Sequence, residues 1–101
     1  MPDLTSGQRK YLRKLAHHLE PLVIVGKQGV TDSLLDATRE VLDAHELVKV
    51  RFNEFKSEKK ALSRQLADET DSAVAGIIGH IAILYRPHPD EDQRRITLPP
   101  A

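Results

Sequence analysis

The chain has 101 residues, 40% hydrophobic and 30% charged, with no cysteine, no tryptophan and a formal net charge of zero. That length supports one domain with one core, and the composition argues against general disorder and fibrous repeats; the lack of cysteine excludes disulfides, thiolate metal sites and thiol nucleophiles. Charge is segregated along the chain, with +3 on residues 1–29, −4 on 30–46, +4 on 47–64, −2 on 65–86 and −1 on 87–101, so two basic blocks that meet would form a face able to steer a polyanion.

Thr5, Ser6, Gly7 and Gln8 have the form of a capping box, which predicts a helix running up to Pro21. Leu12, Leu15, Ala16 and Leu19 make its apolar stripe, while Arg9, Lys10, Arg13, Lys14 and His17 cover much of the remainder. The apolar run Leu22, Val23, Ile24, Val25 predicts a strand covered on both faces, and Gly26, Lys27, Gln28 and Gly29 break it. Thr31 can cap a second helix with Asp32 and Asp36 near its positive end, Leu34, Leu35, Val41 and Leu42 on its buried side, and His45 near its close.

Leu47 to Phe52 alternates, which predicts a second strand with Val48, Val50 and Phe52 on one face and Leu47, Lys49 and Arg51 on the other. Ser57 is the expected cap of a third helix, with Ala61, Leu62 and Leu66 inward and Lys56, Lys59, Lys60 and Arg64 around its start and outer side. Cations at a helix start oppose the helix dipole, which hints at a purpose beyond folding. Ala73–Ile78 and Ile81–Tyr85 read as a hairpin closed by a type II′ turn at Gly79 and His80. Residues 87–101 are expected as a loose tail that Ile96 and Leu98 can pin to the sheet.

The expected order is α-β-α-β-α-β-β, an α/β (α+β) fold with a four-stranded mixed sheet packed by helices. Its first two strands should be parallel through a right-handed crossover and its last two antiparallel. Strand order does not follow from the sequence.

Two groups of residues suit phosphate. In Gly26, Lys27, Gln28 and Gly29, glycines allow close backbone approach, the following helix start offers free N–H groups, and Lys27 adds charge. The same four residues also serve as a plain tight turn, and Asp32 competes for the positive helix end. Arg9, Lys10, Arg13 and Lys14 form a second cluster, extended by Lys56, Lys59 and Lys60; a solvated helix face is the alternative. With four aromatic residues, extensive base stacking is not expected. The five histidines show no ligand-like spacing, no nucleophile is paired with a base, and no Walker motif is present. No metal, no cofactor, no small-molecule substrate and no catalysis are therefore expected.

The segment LRKLAHHLEPLVIVGKQG at 12–29 with Val30 and Thr31, HELVKV at 45–50, and Ile78, Gly79 with LYRP at 84–87 resemble the CRM domain (chloroplast RNA splicing and ribosome maturation), in its stand-alone bacterial, YhbY-like form. The resemblance spans residues 5–99. It implies a fold similar to the C-terminal domain of translation initiation factor three, non-catalytic binding of ribosomal RNA in precursors of the large subunit, and a role for residues 26–29 as the family's G-x-x-G loop. The family's loop is compared with that of KH domains, which lies between two helices rather than after a strand. A monomer in the cytoplasm without a membrane partner is expected, since residues 1–6 lack a signal pattern and no apolar stretch approaches roughly 18 residues. The rival reading is a protein-interaction module of ribosome assembly factors, using Asp36, Glu40 and Asp43 on the second helix.

Overall fold

The computed structural model describes residues 3–101; Met1 and Pro2, part of the stretch read for a signal pattern, lie outside them. In chain order the elements are α1 (Ser6–Ala16), β1 (Val23–Val25), α2 (Asp32–His45), β2 (Leu47–Phe52), a 3-10 turn (Lys56–Glu58), α3 (Lys59–Glu69), β3 (Ala73–Ile78), β4 (Ile81–Tyr85) and a second 3-10 turn (Glu91–Gln93). The sheet order is β1-β2-β4-β3, with β1 parallel to β2 and the other two pairs antiparallel. This is the expected mixed α+β architecture. Among the described residues no helix is long and apolar enough to cross a membrane.

Alternation along the central strands sends side chains to two cores, one on each face of the sheet, rather than to the single core expected from length. Val48, Val50 and Phe52 of β2 join Val25, Ala82 and Leu84 under Leu35 and Leu42 of α2 and Leu66 and Ala67 of α3. On the opposite face Leu47, Ile83 and Tyr85 join Leu12 and Ala16 of α1, with Ile96 and Leu98 packed alongside. The sheet thus lies between one helix and two. Gly76 lets α1 approach β3, because a Cβ there would fall 2.6 Å from Arg13 Cδ. Gly79, at φ +59°, supplies the left-handed first position of the hairpin turn.

The caps of α1 and α2 form as expected: Thr5 Oγ1 accepts from Gln8 N at 3.1 Å while Gln8 Oε1 accepts from Thr5 N, and Thr31 Oγ1 accepts from Leu34 N at 3.1 Å. Other expectations are corrected. Helix α1 stops at Ala16 rather than at Pro21, since the chain must leave the helix layer and enter the sheet at Val23, and a helix to residue 20 would leave too few residues to turn. Of the expected apolar stripe only Leu12 and Ala16 are buried; Leu15, within α1, and Leu19, beyond it, are exposed at 38% and 40%. Strand β1 is an edge strand covered on one face only, with Ile24 49% exposed. Ser57 lies inside the 3-10 turn and does not cap α3, whose N-cap Glu58 makes no side-chain cap bond. Ser63, Leu66 and Ala67, not Ala61, face inward from α3.

Past Pro87 the chain makes anchors that the expectation of a loose tail leaves out. The buried Glu46 carboxylate accepts from His88 N at 2.8 Å, Arg95 N at 2.7 Å and Ile96 N at 3.3 Å, and Gln8 Nε2 donates to Pro99 O at 3.0 Å.

Candidate nucleic-acid interface

Parallel pairing brings the C-terminal ends of β1 and β2 to one end of the sheet, and antiparallel pairing brings the β3–β4 turn there too. Three connections meet as a result. Asn53 and Glu54 both donate their N–H to Val25 O, at 3.1 and 3.3 Å, tying the chain after β2 to the strand that leads into the glycine turn. Phe52 N donates to His80 O at 2.8 Å, and Lys59 Nζ donates to Gly79 O and sits 3.3 Å from His80 Nδ1. Partial desolvation, then repulsion from Lys59 and Lys56, holds His80 below the usual imidazole range.

Gly29 N donates to Gly26 O at 3.0 Å, closing a turn that presents Lys27 and Gln28 to solvent. Only Gly29 needs to be glycine for geometry: its φ is +71°, whereas Gly26 lies outside the left-handed region and a Cβ added there meets nothing within 4 Å. Gly29→Ala should therefore cost about 1–2 kcal/mol of stability. Gly26→Ala should stay within about 0.5 kcal/mol of the parent protein, since the added methyl meets open space and the backbone is not left-handed. Urea unfolding of the two variants checks this. Equal losses would make both glycines structural and weaken the case that Gly26 is there for a ligand.

Lys27, Lys56 and Lys60 are exposed at this end of the molecule, while Lys59 is half-buried as the pin between α3 and the hairpin. The helix-one cluster is placed differently. Helix α1 packs across β3, β4 and β2 on the face opposite α2 and α3, so its outer side looks away from the glycine turn that leads into α2. Arg9 and Arg13 spend hydrogen bonds on the backbone, Arg9 Nη1 donating to Leu4 O at 2.6 Å and Arg13 Nη1 to Ala75 O at 3.1 Å. Lys10 and Lys14 point to solvent. What joins the two regions is a groove of about 580 Å³ along β3, rimmed by Arg9, Lys59, Lys60 and Arg64 over a floor of Val74, Gly76 and Ile77.

Two features escape the sequence reading. The early end of α1 leaves one cross-strand row of the sheet uncovered, Ile24–Arg51–Ile81–Ile78, with Arg51 and Ile78 exposed. Lys49 lies in the next row, its Nζ 3.5 Å from His17 O. The signal in the sequence was the alternation that puts Lys49 and Arg51 on the face of β2 opposite Val48, Val50 and Phe52. The second feature is Phe55, exposed at 42% beside Gly29. Among the described residues no three His, Asp or Glu side chains are grouped to hold a metal ion.

A four-stranded sheet between one helix and two, with a glycine turn and a lysine-rich helix start at one end, defines a small α+β domain with a cationic end. The chain belongs to the CRS1/YhbY (CRM) domain family, whose model matches residues 4–86. It is 38% identical over 100 residues to a Haemophilus influenzae protein named "RNA-binding protein", covering 98% of both chains. It is 34% identical over 97 residues to the Bacillus subtilis "Probable RNA-binding protein YqeI", covering 95% of this chain and 99% of that one. The fold is similar to the solution structure of Staphylococcus aureus SAV1595, described with a proposed RNA-binding role, at TM-score 0.79 and 33% identity over 95% of this chain and 99% of that one.

Proposed function

We propose that this protein binds RNA by contact, without converting it, and that its target is ribosomal RNA in immature large-subunit particles, where it assists assembly as a cytoplasmic monomer. The observation that carries the reading is the turn of Gly26, Lys27, Gln28 and Gly29, which exposes Lys27 and Gln28, with Lys56 and Lys60 gathered at the same end of the sheet. Backbone N–H groups and lysines at one place suit a phosphate backbone. Arg9, Lys59 and Arg64, lining the groove on β3, would extend the footprint together with Lys10, Arg13 and Lys14. The relatives named as RNA-binding proteins support the partner class.

The rival reading, a protein-binding acidic side of α2, is weakened by what that side already holds. Asp36 pairs with Arg39 at 3.0 Å and Asp43 with Arg86, leaving Glu40 as the exposed carboxylate of the three without an ion pair among the described residues.

Large-subunit RNA stripped of protein tests the choice. Binding is expected to weaken with salt by a slope matching release of roughly 3–5 counterions; absence of binding would favour the protein-interaction reading. In lysate separated by size, the protein should travel with immature large-subunit particles, because the RNA shape and phosphate spacing it contacts change as a subunit matures. Equal occupancy of mature and immature particles would sink the assembly role and leave a general RNA binder.

A further inference from the structure

The chain has two phenylalanines, and they have opposite fates. Phe52 is 1% exposed in the core, while Phe55, three residues on, is 42% exposed at the cationic end. Phe55 also holds a left-handed backbone, φ 56° and ψ 37°, a region that favours glycine or asparagine and penalises a bulky side chain. An exposed loop built only to connect β2 to α3 would be better served by either of those residues. The backbone that carries the ring is nonetheless held: Asn53 and Glu54 donate to Val25 O, and Phe55 O accepts from Glu58 N at 3.0 Å as the 3-10 turn begins.

The ring leans on the glycine turn. A Cβ built on Gly29 would lie 3.4 Å from Phe55 Cε2, so the aromatic group borders the last residue of the turn that presents Lys27 and Gln28, with Lys56 next along the chain. A group that takes phosphate and an aromatic surface are therefore neighbours, the pairing a nucleotide offers between its backbone and its base. Stacking tolerates any base, because each has a π face, but it requires a base free of its own duplex stack.

We infer that Phe55 is a stacking platform for one unpaired base of an RNA whose backbone rests on residues 26–29. This deepens the proposed RNA-binding function and rests on it: the turn supplies attraction to any RNA backbone, and Phe55 supplies preference for a bulge, loop or splayed nucleotide over continuous duplex. The site is a single stacking position, in keeping with the scarcity of aromatic residues.

The sequence has no tryptophan, so Phe55→Trp places a single reporter at the site. The probes are a hairpin RNA with one bulged nucleotide and its fully paired counterpart, with emission excited where tyrosine does not absorb. The bulged hairpin should quench emission at least about twofold more than the paired one at equal saturation. Phe55→Leu, which keeps an apolar cover over Gly29, should bind the bulged hairpin about tenfold more weakly and the paired one within about twofold of the parent. Melting curves of both variants report the fold. Unchanged tryptophan emission on a bound bulged hairpin, or equal affinity of Phe55→Leu and parent protein for it, would overturn the inference and leave Phe55 as a cover for the turn. Failure of the parent protein to bind either RNA would instead remove the RNA-binding reading, and the stacking site with it.

Discussion

Replacing Glu46 by alanine is expected to lower stability by about 2–4 kcal/mol and to detach residues 87–101 from the sheet, from the loss of charge-assisted bonds to backbone groups. The side chain is 3% exposed, and its two oxygens accept three backbone N–H groups from His88, Arg95 and Ile96. Its backbone contributes as well, with Glu46 N donating to Leu42 O at 2.9 Å and Glu46 O accepting from Arg86 N at 2.8 Å. Glu46 has φ +60°, so alanine keeps the backbone strain while losing the bonds. Glu46→Gly relieves that strain and should recover about 1 kcal/mol of the loss. Denaturant unfolding measures the stability, and limited proteolysis reads the tail. Tyr85 offers a third readout: burial, then the charge of Glu46, raises its hydroxyl above the usual range, against a smaller lowering by Arg94. Spectroscopic titration of Tyr85 should therefore move down in Glu46→Ala. A tail that stays protected in Glu46→Ala would show that Ile96, Leu98 and the Gln8 bond to Pro99 suffice to hold it.

Glu46 also shows where local sequence information ends. The alternation of Val48, Val50 and Phe52 and the cap at Thr31 are local signals, and the elements they predict are present. Nothing within a few residues of Glu46 says that its carboxylate will meet a chain segment 42 to 50 positions away. The same holds for β1, whose apolar run is read equally well as a buried central strand or as an edge strand with Leu22 and Ile24 in water; pairing decides, and pairing is long-range. Strand order is partly legible in hindsight. Residues Ala82, Ile83, Leu84 and Tyr85 of β4 are all buried, as suits a central strand, whereas β3 carries Gly76 and an irregularity between Val74 and Gly76, features suited to an edge. At the candidate site, residues 26–29 are found by composition, but Phe55 is singled out only once Val25 holds its segment beside Gly29.

Zero net charge does not leave the molecule without a positive end, because the two signs are used differently. Much of the acidic block is consumed internally, with Asp36 and Asp43 in ion pairs and Glu46 binding backbone. Lys10, Lys14, Lys27, Lys56 and Lys60 form no ion pairs among the described residues. Lysines without a local partner remain available to an external anion, and their attraction is not cancelled by adjacent carboxylates at contact distance. The nearby Asp32, Glu54 and Glu58 temper that attraction, which is consistent with a modest salt slope rather than a steep one.

The double variant Lys27→Asp, Gln28→Asp is expected to lose RNA affinity by roughly ten- to hundredfold, the range for removing a charge-assisted contact and placing like charge against phosphate. Stability should change by no more than about 0.5 kcal/mol. The fold is insulated because the turn is closed by the backbone bond from Gly29 to Gly26, and neither side chain makes a hydrogen bond among the described residues. Aspartate is itself well tolerated in turns. Equilibrium binding to protein-free large-subunit RNA across a salt series, with thermal melting alongside, reads both quantities. The salt slope should fall by about one counterion, as expected when one phosphate contact is removed. A parallel fall in melting temperature and affinity would make the turn a structural device and nothing more. Unchanged affinity in a folded variant would move the interface elsewhere on the same end of the sheet, to the uncovered row where Arg51 lies between Ile24 and Ile81, and charge reversal at Arg51 would then be the decisive substitution.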